Sequence, residues 1–261
     1  VISINERYIN GVPILHISEK GNAEKRPALI FHHGITSAKE HNLHIAYSIA
    51  KKGFHVILPD ALHHGEREAA NSAQKRYLLF WNIVLQSVHE LEDIVNVLAL
   101  EGLIDRNQVA VGGTSMGAIT SFGALSRYEW IKSGLCFMGA PQFGLFANEM
   151  FKKAEQNGIQ ISEKEKETLL NQIKPYDLAE QPDKLNERPL FMWHGEEDNT
   201  VPFSYARQFI IDFEKSRSSH FNKITFLPEE GVGHKVSRKA MLEAANWLPT
   251  VMNENKHGMF N

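Results

Sequence analysis

Short, solid apolar runs alternate along this chain with longer segments whose apolar positions recur every three or four residues. The runs at 27–31, 55–58, 108–111, 135–138, 189–193 and 223–227 are too short for helices. Their nearly continuous apolar character predicts strands buried on both faces. Between them, 41–52, 72–100, 118–125 and 238–247 read as helices. In the longest, Tyr77, Trp81, Val84, Val88, Leu91, Val95 and Leu98 form one apolar stripe, and Gly102 ends it. Strands alternating with helices predict an α/β fold, a mostly parallel sheet with helices on both faces. Residues 1–19 differ. They alternate about Asn10-Gly11, a dipeptide that favours a two-residue turn, so an N-terminal β-hairpin is expected.

One stretch interrupts the alternation. Residues 141–188 carry no strand signal. The segment 143–156 reads as a helix bearing Phe146, Met150 and Phe151. Ser162 and Glu165 form a capping box that opens a second helix through Ile173. An insertion at a strand's C-terminal end lies where α/β proteins bind ligands. It is read as a small helical cap within a single domain spanning 1–261. Plain surface elaboration is the alternative.

Composition narrows the class. A 43% hydrophobic and 23% charged content suits a globular chain of 261 residues. Lys and Arg number 28 against 31 Asp and Glu, a net charge of -3. No basic block is present, so neither nucleic acid nor membrane is an expected partner. No apolar run reaches the length of a membrane span, no basic-then-apolar leader opens the chain, and the cytoplasm is the expected location. The single cysteine, Cys136, excludes an intramolecular disulfide and reads as a small buried hydrophobe.

The candidate chemistry centres on Gly113-Thr114-Ser115-Met116-Gly117. Between a strand and a helix, Gly-x-Ser-x-Gly reads as a nucleophile elbow, a tight turn that lifts the serine hydroxyl clear of the sheet. The pattern recurs by chance, so its weight depends on partners. Serine is a weak nucleophile until a base takes its proton and an acid orients that base. The acid is sought in His194-Gly195-Glu196-Glu197-Asp198-Asn199, directly after a strand. Glu196, Glu197 and Asp198 compete. Asp198 is favoured, because a short side chain in a fixed turn holds an imidazole better than a flexible glutamate. His234 is the base, the only histidine between the last strand and the last helix. The oxyanion donors would be the Met116 N–H, beside the nucleophile, and the Ile35 N–H, after the strand ending in His32-His33-Gly34.

The segment 62–67 falls at the same sheet edge, where His64 or Arg67 would touch substrate. A turn held by a Glu66–Arg67 pair is the competing reading. Phe143, Phe146 and Trp193 are candidate pocket walls, with plain core as the alternative. The paired histidines at 32–33 and 63–64, and the His41/His44 spacing, lack the acid that completes a known zinc pattern, so no metal is expected.

With these segments in order, the chain resembles the α/β-hydrolase superfamily. It is most similar to small bacterial serine esterases related to prolyl oligopeptidase catalytic domains and dienelactone hydrolases. The residues that carry the likeness are His33-Gly34-Ile35, Gly113 to Gly117, His194-Gly195 with Asp198 and Val201-Pro202, and Gly233-His234. The resemblance implies the α/β-hydrolase fold, a Ser-His-Asp triad, no cofactor, and a small-molecule ester with a short acyl chain as substrate. A thioesterase or acyltransferase on the same triad, and a non-catalytic ligand-binding homologue, remain open. The chain is too short for the β-propeller of prolyl oligopeptidases, which leaves peptide recognition unsupported.

Overall fold

The computed structural model describes residues 1–21, 25–68, 76–215 and 223–257. Eight strands form one sheet in the order β1-β2-β4-β3-β5-β6-β7-β8. β1 (Ile2–Ile9) and β2 (Val12–Glu19) make the N-terminal hairpin, turning at Asn10 and Gly11, both at positive φ. β2 also runs antiparallel to β4 (His55–Pro59). From β4 onward the sheet is parallel, through β3 (Arg26–His32), β5 (Ile104–Thr114), β6 (Ser133–Phe137), β7 (Leu190–Gly195) and β8 (Ile224–Glu229).

Alternation along each strand feeds two cores. Ile30, Val109, Val111, Cys136 and Met192 point into one, and Leu29, Phe31, Ala110, Leu135 and Trp193 into the other. The first core is closed by α2 (Phe80–Leu100), α3 (Met116–Arg127), α4 (Phe143–Gln156), α5 (Glu163–Ile173) and α6 (Phe203–Lys215). The second is closed by α1 (Leu43–Ala50) and α7 (Arg238–His257). Parallel strands bring the loops after β3, β4, β5, β7 and β8 to one edge, and that edge carries the site.

Several boundaries differ from the sequence reading. The stripe predicted over 72–100 becomes a helix only from Phe80, with turns at 76–79, while 72–75 lie outside the described residues. Residues 39–42 form a 3-10 turn before α1. β5 extends past both ends of the expected 108–111. The last helix was expected to stop at 247, before Pro249, yet it continues. Proline forfeits one backbone bond, but Leu248 and Met252 are fully buried, and that burial carries the helix on.

Candidate active site

Ser115 is the joint between β5 and α3. It sits at φ 55° and ψ −117°, a conformation that costs a non-glycine residue on the order of 1–3 kcal/mol. Its N–H donates to the Phe137 carbonyl at 2.9 Å, which fixes the turn to β6. The flanking glycines are forced by crowding. A Cβ on Gly113 would stand 2.6 Å from the His32 carbonyl oxygen, and one on Gly117 would stand 2.5 Å from the His32 carbonyl carbon. Thus the elbow packs directly onto the end of β3.

The loops after β7 and β8 bring two further side chains to Ser115. His234 Nε2 lies 2.9 Å from Ser115 Oγ, and His234 Nδ1 lies 2.6 Å from Asp198 Oδ2. Asp198 Oδ1 accepts the N–H groups of Thr200 and Val201 at 2.9 and 3.0 Å, so the carboxylate is fully committed. His194 Nε2 donates to the Val201 carbonyl at 2.8 Å and lies 3.3 Å from Asp198 Oδ2. Burial pushes the Asp198 carboxyl up, but the hydrogen bonds from His194 and His234 outweigh it and hold the group below the usual range. The two loops are zipped together. Glu197 N–H donates to Val232 O at 3.0 Å, and a Cβ on Gly195 would stand 2.7 Å from Gly233 O. Glu229 on β8 accepts from Trp193 Nε1 and Ser237 Oγ, tying the histidine loop to β7 and to the start of α7.

The loop after β3 is clamped to the loop after β4. His33 Nε2 accepts the Ala61 N–H at 3.0 Å, which leaves its proton on Nδ1 to donate to Gly34 O at 2.8 Å. A planar trans peptide then turns the Ile35 N–H away from that carbonyl. Burial lowers the His33 pKa to about 4, so the ring stays neutral. His64 stands between two backbone carbonyls, Leu62 O at 2.8 Å and Ile35 O at 2.5 Å. Lys39, 1% exposed, donates from Nζ to Asp60 at 3.0 Å and Glu66 at 2.5 Å. Met116, the other expected oxyanion donor, is the first residue of α3, where a helix leaves N–H groups without intrahelical partners.

Ser115, Ile35, Tyr77 and Thr200 stand where two cavities meet. One, about 300 Å³, runs beneath α4 between Phe80, Ile119, Phe146, Met150 and Val201. The other, about 650 Å³, is lined by His234 and by Ser37, His41, His44 and Lys235. Among the described residues no group of three or more His, Cys, Asp or Glu side chains gathers as a metal site. No described helix is long and apolar enough to cross a membrane.

A family model for the alpha/beta hydrolase fold matches residues 27–143. YitV of Bacillus subtilis (strain 168), whose name assigns it provisionally to the esterases, is 40% identical over 255 residues, 97% of this chain and 100% of YitV. The chain belongs to the α/β-hydrolase family. Esterase YjfP of Escherichia coli (strain K12) is 29% identical over 255 residues, 95% of this chain and 98% of YjfP. TT1662 from Thermus thermophilus matches with a TM-score of 0.75 at 18% identity, over 97% of this chain and 98% of that one, a likeness of fold.

In this α/β-hydrolase, Ser115, Asp198 and His234 meet at the sheet edge, and Ile35 and Met116 flank the serine. Three residues expected on the pocket wall stand elsewhere. His64 has no exposed surface and supports the Ile35 loop from behind. Phe143 packs on Trp81 inside the first core, one turn from Phe146, which does line a cavity. Trp193 points into the second core beside Phe137. Spacing alone does not tell which aromatic of a stripe meets core and which meets a cavity. The Glu66–Arg67 pair is also corrected: Glu66 bonds to Lys39 and Tyr8, and Arg67 to Glu90. Sequence assigned no bonding role to Lys39, and it named His33 and His194 only within matched motifs. For His194 the signal was its i, i+4 spacing to Asp198.

Proposed function

We propose that this α/β-hydrolase is a serine carboxylic ester hydrolase acting on small acyl esters. The observation that carries the reading is the continuous line Ser115 Oγ–His234 Nε2 (2.9 Å) and His234 Nδ1–Asp198 Oδ2 (2.6 Å). The esterase names of YitV and YjfP support the same reaction class.

In this mechanism His234 takes the Ser115 proton as Oγ attacks the ester carbonyl carbon. Asp198 holds the Nδ1 tautomer and stabilises the imidazolium. The oxyanion is received by the Ile35 and Met116 amides, each worth about 3–4 kcal/mol of barrier. The carbon–oxygen bond to the alcohol breaks, and His234 returns the proton to the departing oxygen. Water, deprotonated by His234, then attacks the acyl-enzyme, and the carboxylic acid leaves as Ser115 is reprotonated. A fluorophosphonate probe should label the protein at Ser115, and Ser115→Ala should lose p-nitrophenyl acetate hydrolysis. Undiminished turnover in that variant sinks the reading.

A further inference from the structure

The two cavities at Ser115 are not equivalent, and proton delivery tells them apart. This step rests on the esterase reading above. The leaving alcohol must be protonated by His234, so its oxygen departs on the side of that ring. His234 lines the larger cavity and is absent from the walls described for the smaller one. The alcohol part therefore points into the larger cavity, and the acyl part into the smaller, past Ile35 and Ser115.

The walls agree with this polarity. The smaller cavity is walled mainly by Phe80, Ile119, Phe146, Met150 and Val201, with Glu149, Lys153 and Asn199 also on its lining, and of the apolar five only Met150 is more than slightly exposed. Its volume of about 300 Å³ is at the low end for a ligand site, enough for part of a substrate. The larger cavity mixes Ile45, Met138 and Val236 with the polar Thr36, Ser37, His41, His44 and Lys235, so it offers more hydrogen-bonding groups than the smaller one. We infer that the cavity beneath α4 is the acyl site and the His234-side cavity the alcohol site, so that the substrate joins an apolar acyl chain to a polar alcohol. The helix α4, from the 141–188 insertion, then sets acyl length through Phe146 and Met150.

Two ester series test the assignment: p-nitrophenyl esters of increasing acyl length, and acetates of varied alcohols. In the wild type, kcat/KM should rise about fourfold for each methylene that the acyl cavity accepts, then fall. Phe146→Ala should move the maximum to a longer acyl chain and raise the long-to-acetyl ratio of kcat/KM at least tenfold. Met150→Ala, at a half-buried position, should shift it the same way and covers the case in which the Phe146 variant fails to fold. The ranking of alcohols in the acetate series should hold in both. Folded variants whose acyl profile stays put, or whose alcohol ranking changes instead, overturn the assignment. A wild type inactive on every ester in both series overturns the esterase reading itself, which separates the two failures.

Discussion

At the residue scale, the acid loop offered three carboxylates and the structure places one of them against the imidazole. Asp198 is buried, with Oδ1 held by two backbone amides and Oδ2 facing His234, whereas Glu196 and Glu197 are exposed. A one-methylene side chain in a tight turn can bond its own downstream amides, which made Asp198 readable from sequence. Asp198→Asn should lower kcat by roughly 10⁴ with little loss of fold, because the amide imposes the wrong imidazole tautomer. Glu196→Gln and Glu197→Gln should leave kcat within a factor of two; steady-state kinetics on p-nitrophenyl acetate compares all three. His33 and His64 were not readable in this way. Their partners, Ala61 N–H and Ile35 O, lie across the sheet edge, about thirty residues away along the chain.

At the element scale, most strands and helices were legible because a two-sided sheet writes itself as solid apolar runs. The ends were less so. They are decided by tertiary contacts, as where α7 runs past Pro249 to bury Met252. Lys39 shows the same limit more sharply. A lysine beside Glu40 reads as solvated, yet its ammonium is 1% exposed and bonded to Asp60, Glu66 and Glu40. Burial opposes its charge, but those three carboxylates outweigh burial and raise its pKa. Lys39→Met would leave the Asp60 carboxylate buried without its cation. The expected cost is about 3–5 kcal/mol, read as a lower urea midpoint. The loop bearing Ile35 should loosen with it, so kcat should fall in the fraction that remains folded.

At the scale of the whole molecule, several histidines are carried inside as neutral rings. Burial lowers His16 and His33 to about 4 and His32 to about 3, helped in each by a neighbouring histidine. In the unfolded chain these rings titrate near 6.5, so between there and about 4 the unfolded state binds more protons. Stability is therefore full above about pH 6.5 and declines as pH falls toward 4, by about 3 kcal/mol for a ring such as His33. Urea midpoints taken from pH 8 down to 4.5 should be level at first and then drop; a level profile throughout would contradict this account.

The long reach of the site along the chain has a consequence for how the protein is made. Ser115 meets His234 across 119 residues, and the loop that carries His234 reaches its place through the pairing of the last strand, β8, with β7 and the bonds that join it to the Asp198 loop. A chain whose elbow has just left the ribosome carries the Ser115 hydroxyl without the imidazole that stands 2.9 Å from it in the folded protein. Under the proposed mechanism, chemistry at Ser115 stays switched off during synthesis and begins only when the final strand docks.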